Sequence, residues 1–242
     1  MKDAPMTQVL DKETRVQRMF SSAARKYDLN NTVLSLGLHH GWKQQTVEAA
    51  GVRPGNRAID LCSGTADMAI LLARKAGPGG SVTAFDLNPD MLKIGREKVL
   101  RQGLEGRIDC VLGNMEEIPY PDGIFDAATV GFGIRNTARM DRAFREMCRI
   151  LKPGGRGVCL EFSRPVSGTL RRLYDFYSFS LLPHIGRWLS GDHTGIYQYL
   201  PESIRNFPDQ ESLRKIMRDA GFSRVEYTNF AGGIVAIHVG IK

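Results

Sequence analysis

Two acids and a glycine are the residues best placed to do chemistry. In "IDLCSGTADMAILLA", Ile59 to Ala73, Asp60 stands near the end of an apolar run and Gly64 sits in the turn that follows. Asp86 closes a second apolar run, "SVTAFD", and lies 22 residues beyond Gly64. That separation is close to the ~20 residues expected between a nucleotide-binding turn and an acid that accepts both hydroxyls of a ribose. Glycine at 64 lets the backbone pass close to a ligand. A dinucleotide site needs G-x-G-x-x-G directly after the strand. Only Gly64 is present here, with Cys62 and Ala66 where further glycines are expected. Asp60 also puts a negative charge where a pyrophosphate would be approached.

A cofactor with a cationic amine, a ribose and no phosphate suits these residues better. S-adenosylmethionine has all of these and a positive sulfonium. His39-His40 suit either acid/base groups or an exposed pair, His184, His193 and His238 show no ligand spacing, and the cysteines (62, 110, 148, 159) form no CxxC pair. No metal is expected, and the thiols suit a reducing, cytosolic compartment.

The elements that must position these residues alternate. The first fifty residues read as helical, with Val16, Met19, Phe20, Ala23 and Tyr27 at helical spacing. Then follow the strand "AIDLC", the helix "DMAILLARKAG", the strand "SVTAFD" and the helix "NPDMLKIGREKVLRQG", with Asn88 as N-cap and Pro89 at its first position. "RIDCVLG" and "IFDAATVGFG" hold a third and a fourth strand. "ARMDRAFREMCRILKPGG" reads as a helix stopped by Pro153-Gly154-Gly155, and "RGVCLEF" as a fifth strand. Such alternation predicts a parallel, doubly wound (Rossmann-like) α/β sheet of seven strands whose last strand is antiparallel. One domain over 1–242 is expected: a helical cap (1–50), a cofactor core (51–162), an aromatic-rich insert (163–208), and a final helix with a strand pair (209–242).

The net charge of +7 and pI near 9.4 point to an anionic partner or to a solvated basic surface. A methyltransferase for a nucleic acid predicts a dense basic stripe or an appended binding domain, and the sequence has neither. No window approaches 18 consecutive apolar residues, and acids near the N-terminus argue against an export signal.

Several stretches resemble the membrane-quinone C-methyltransferases, which methylate the ring of menaquinone and ubiquinone precursors. They include "YDLNNTVLSLGLHHGWK" (27–43), "DLCSGTAD" (60–67), "GNMEEIPYPDGIFDAATVGFGIRN" (113–136) and "YQYLPESIRNFPD" (197–209), and the likeness runs from residue 13 onward. The resemblance implies a class I S-adenosylmethionine-dependent C-methyltransferase acting on a polyprenylated quinol, demethylmenaquinol first and a methoxy-benzoquinol second. It implies cofactor contacts at Thr65, Asp86, Asn114 and Met115. The family often has serine where this chain has Gly131, which removes one hydroxyl contact.

Methylation at carbon needs an electron-rich ring aligned behind the S–CH3 bond. "FGIRN" follows the fourth strand at its carboxyl edge. Arg135 there suits negative charge developing on a ring oxygen, Asn136 suits orienting a hydroxyl, and a water, Tyr27 or Asp28 suits taking the proton. The main competing reading is an O- or N-methyltransferase of another small molecule; a nicotinamide oxidoreductase lacks its glycines. An isoprenoid substrate implies contact with the inner face of the cytoplasmic membrane. The insert "TLRRLYDFYSFSLLPHIGRWLSG" is the expected contact, through Leu173, Phe176, Tyr177, Phe179, Leu181, Leu182, Ile185 and Trp188 flanked by Arg171, Arg172 and Arg187. A roof over the site is the other use of that stretch. No nucleic-acid partner is expected, and a homodimer is left open.

Overall fold

The alternating pattern closes into one seven-stranded sheet in the computed structural model, which describes residues 6–177, 180 and 196–242. Strands β1 (Arg57–Leu61), β2 (Ser81–Asp86), β3 (Ile108–Leu112), β4 (Phe125–Gly131), β5 (Leu151–Phe162), β6 (Arg224–Phe230) and β7 (Val235–Ile241) lie in the order β3-β2-β1-β4-β5-β7-β6. β1 to β5 are parallel, and β7 runs antiparallel to both its neighbours. This is the doubly wound sheet that the alternation predicts. The order reverses at β1, which pairs with β2 on one side and β4 on the other, so a crevice opens at their carboxyl ends.

The described helices are α1 (Met6–Ala23), α2 (Tyr27–Leu34), α3 (Leu38–Ala49), α4 (Asp67–Ala76), α5 (Pro89–Arg101), α6 (Met140–Ile150), α7 (Gly168–Phe176), α8 (Ile196–Asn206) and α9 (Gln210–Asp219). Phe144 and Met147 of α6 and Met217 of α9 pack on one face of the sheet with Phe85 and Phe125. Val47 of α3 and Ala69 and Leu72 of α4 pack with Val82, Val158 and Ile237 in a second cluster. Phe144 and Met147 are fully buried, which stabilises the fold by about 1.5–3 kcal/mol each. Asn88 caps α5 as its residue type suggests, accepting from the Asp90 and Met91 amides at 3.0 Å. Its side-chain amide also donates to the Gln17 carbonyl at 3.1 Å and ties α1 to the core.

One boundary differs from the sequence reading. α6 ends at Ile150, and Pro153-Gly154-Gly155 lie inside β5 instead of terminating the helix. Leu151 pairs with Phe125, but the next pair is Arg156 with Ala127, so the proline and glycines bulge out of the ladder. Of the insert, α7 and α8 are described. Phe179, Leu181, Leu182, His184, Ile185, Arg187, Trp188 and His193 lie outside the described residues, as does the side chain of Tyr197.

Candidate active site

The turn after β1 is built from left-handed backbone. Cys62 (φ 51°), Gly64 (φ 56°) and Ala66 (φ 64°) alternate with ordinary residues. Glycine adopts this conformation freely, whereas residues with a Cβ resist it by roughly 1–2 kcal/mol. The missing glycines of the sequence reading are therefore positions where glycine is favoured and small side chains are held instead. The Gly64 amide donates to Asp86 Oδ2 at 2.8 Å, and the Asn88 amide donates to Asp86 Oδ1 at 2.7 Å. Asp86 thus joins the turn to the start of α5, and burial pushes its carboxyl above the usual range.

Asp60 is 2% exposed. Thr129 Oγ1 and Ser63 Oγ each donate to it at 2.7 Å. Thr129 is its register partner on β4. Burial pushes the Asp60 carboxyl up to about 6, opposed by those two hydroxyls and the Lys43 charge. Its hydrogen-bond partners are neutral, so a cationic ligand is the natural complement.

Two cavities meet at this turn. The smaller, about 110 Å³, is lined by Asp86, Asn114, Met115, Met91 and Asn136. Asn114 Oδ1 accepts from the Glu116 amide at 2.9 Å, and Cys62 Sγ donates to Met115 Sδ at 3.3 Å. The larger, about 760 Å³, runs from Asp60, Ser63 and Thr65 to the apolar side chains Trp42, Phe132, Phe162, Leu173 and Ile204. Phe132 packs on Phe162 with ring centroids 4.8 Å apart. Phe20, Tyr27, Cys62, Gly64, Gly131 and Phe132 border both cavities.

Arg135 follows β4 in the short turn Ile134–Asn136. Its guanidinium donates to Glu161 Oε1 at 2.7 Å and to the Phe132 carbonyl. Burial raises the Glu161 carboxyl, and Arg135 opposes the rise. Asn136 Oδ1 accepts from the Tyr199 hydroxyl at 3.1 Å. Tyr27 borders both cavities, but Asp28 faces elsewhere: Thr65 Oγ1 donates to it at 2.7 Å and Lys98 at 2.9 Å. Lys98 also bridges to Asp67, which accepts from Lys43 at 2.8 Å. These contacts knit α2, α3, α4 and α5 beneath the cavities. Lys43, Asp67 and Lys98 take no role in the sequence reading of the site; Glu161 reads there either as lining the site or as a paired strand-end acid, and it is paired with Arg135. The one signal for Lys43 is its place four residues after His39 on α3, which puts both on one helix face.

The residues present fit S-adenosylmethionine. Asp86 suits the ribose, Asn114 and Met115 the adenine, and the buried Asp60 the amine, with a left-handed turn small enough to admit the chain between them. The fold is that of other methyltransferases. A methyltransferase from Aquifex aeolicus aligns with a TM-score of 0.61 at 18% identity, covering 82% of this chain and 88% of that one. One from Thermotoga maritima aligns with a TM-score of 0.63 at 20% identity, covering 93% and 99%. In sequence, the ubiquinone/menaquinone biosynthesis C-methyltransferase UbiE of Pseudomonas paraeruginosa is 49% identical over 231 residues, 96% of this chain and 90% of that protein. The protein of the same name from Proteus mirabilis is 48% identical over 232 residues, 96% and 92%. With residues 7–242 matching its pattern, this chain belongs to the ubiE/COQ5 methyltransferase family.

Proposed function

We propose that the protein methylates a ring carbon of a polyprenylated quinol, converting demethylmenaquinol to menaquinol, with a methoxy-benzoquinol as second substrate. The shared border of the two cavities carries this reading. Asp60 and Asp86, one in each cavity, would hold the cofactor at that border, and the larger cavity offers an apolar lining for a ring and the start of an isoprenoid tail. When bound, S-adenosylmethionine supplies an electrophilic methyl on its sulfonium.

The chain's own residues do the rest. Phe132 and Phe162 hold the ring flat and exclude water. Arg135 stabilises the oxygen that gains negative charge as the ring becomes nucleophilic. Its Nε is buried and has no protein partner, so it has a donor to give. Asn136, oriented by Tyr199, positions a ring hydroxyl. Tyr27 borders both cavities and takes the proton directly or through water. Asp28, held by Lys98 and Thr65, positions Thr65 at the cofactor turn.

The tail requires a membrane surface. Among the described residues no helix is long and apolar enough to cross one. Leu173 and Phe176 line the larger cavity yet are 65% and 59% exposed, and so supply an apolar contact, with Leu170 lining the cavity beside them. The insert then serves as roof and as membrane contact together.

The test is an assay of the purified protein with both quinols and methyl-labelled cofactor. Label on a ring carbon, found by mass spectrometry of the oxidised product, is the expected result. Label on oxygen, or none with either quinol, overturns the reading.

A further inference from the structure

The larger cavity carries opposite charges near each other at its polar end. Asp60 is one. The other is Lys43, whose side chain is 13% exposed and reaches in from α3. Among the described lining residues Lys43 and Arg135 are the cations. Arg135 has its charge matched by the buried Glu161 carboxylate at 2.7 Å, although its Nε keeps a donor. An ammonium has three protons to give, and Asp67 accepts one from Lys43 at 2.8 Å. Asp67 is not dependent on Lys43, because Lys98 bridges to its other oxygen. Burial alone would lower the Lys43 pKa, but the Asp67 carboxylate holds it above its usual value, so the side chain stays charged. Lys43 in turn acts on Asp60, drawing its pKa down.

An amino-acid group is a zwitterion. Its amine complements Asp60, and its carboxylate needs a cation a few ångströms away. We propose that Lys43 is the ligand of the cofactor's carboxylate, so that Asp60 and Lys43 together read the amino-acid end of S-adenosylmethionine. The assignment also gives α3 a role. The first fifty residues supply one wall of the cofactor site, already tied to the turn after β1 through Asp28 and Thr65. The proposal rests on the cofactor alone, so failure of the quinol assay leaves it standing.

Decarboxylated S-adenosylmethionine keeps the amine, sulfonium, ribose and adenine and lacks only the carboxylate. Calorimetry on the full chain compares both compounds with the wild type, Lys43→Gln and Asp67→Asn. The wild type is expected to prefer S-adenosylmethionine by roughly tenfold to a hundredfold, the range for a charge-assisted hydrogen bond. Lys43→Gln should erase that preference by weakening S-adenosylmethionine alone, with the decarboxylated form unchanged within about twofold. Asp67→Asn removes the carboxylate that holds Lys43 charged against burial, so it should lower the preference, and more so as the pH rises. Parallel loss of both compounds in Lys43→Gln overturns the proposal and makes Lys43 a strut for Asp67. A wild type that binds the two compounds equally overturns it whatever the variants do.

Discussion

Arg135 and Glu161 form an ion pair at 2.7 Å with their side chains 7% and 1% exposed, and each keeps one buried polar atom without a protein partner, Nε and Oε2. Removing one member of a buried pair strands the other, which typically costs 3–5 kcal/mol. Here Glu161 softens that loss, because burial already favours its protonated form.

Arg135→Ala is therefore expected to remain folded with a lower melting temperature and to lose turnover by on the order of a hundredfold or more. Cofactor affinity, measured by calorimetry, should change little. Arg135→Lys should recover only part of the turnover, since an ammonium cannot reproduce the planar fork shared by Glu161 and the ring oxygen. Near-normal turnover in Arg135→Ala would assign the pair to packing.

If Asp60 holds the cofactor's amine as proposed, cofactor binding should depend on pH. Its folded pKa of about 6 lies above the ordinary aspartate value of 3.8, so the folded protein without cofactor holds a proton that the unfolded chain has released. Stability without cofactor should fall as pH rises from about 4 to about 6 and be level for this group above that. Binding a cationic amine needs the ionised form, so affinity should rise over the upper part of the same window. Titrations at pH 5 and pH 7.5 check this, and Asp60→Asn should flatten the slope.

Gly131 is a close approach. A Cβ built there comes 2.6 Å from Met68 Sδ, which gives a physical reason for glycine where the family often has serine. The atom met is near the end of a flexible side chain, so Gly131→Ser should destabilise by no more than about 1 kcal/mol, read by urea unfolding. Adding Met68→Ala should recover part of that loss; no recovery means the strain lies in the backbone.

Much of this site could be read from residue types and spacing because its acids end strands. Asp60 and Asp86 declare themselves once the alternation is seen, since the strand ends of a doubly wound sheet face the crevice. The ionic contacts were not legible. Lys98 reaches Asp28 across 70 residues and Asp67 across 31, and Arg135 reaches Glu161 across 26. No periodicity encodes such meetings; they follow from helix packing. The end of α6 was misread for a local reason: Pro-Gly-Gly usually stops a helix, but here it forms a bulge in a strand that has already begun.

The insert offers a separable test of the membrane reading. Arg171 and Arg172 are exposed on α7. Changing both to glutamate should reduce binding to anionic vesicles, at ~1 kcal/mol for each charge near the surface, and salt should weaken the wild type in the same way. Turnover on a short-tailed quinol should stay close to normal. Vesicle binding unchanged by the double substitution would move the contact off α7.

A catalyst that handles an electrophilic methyl group must avoid becoming its own substrate. Cys62 borders both cavities, at the turn where the proposed cofactor site meets the substrate cavity. Burial pushes its thiol pKa well above the usual range, and the negative charges of Asp86, Asp60 and Glu161 add to the rise. Only a thiolate attacks readily, and the Cys62 proton is held toward Met115 Sδ. The acids proposed to hold the cofactor thereby also keep the sulfur beside them protonated, the form that resists alkylation. Intact-mass analysis after many turnovers should find Cys62 unmethylated.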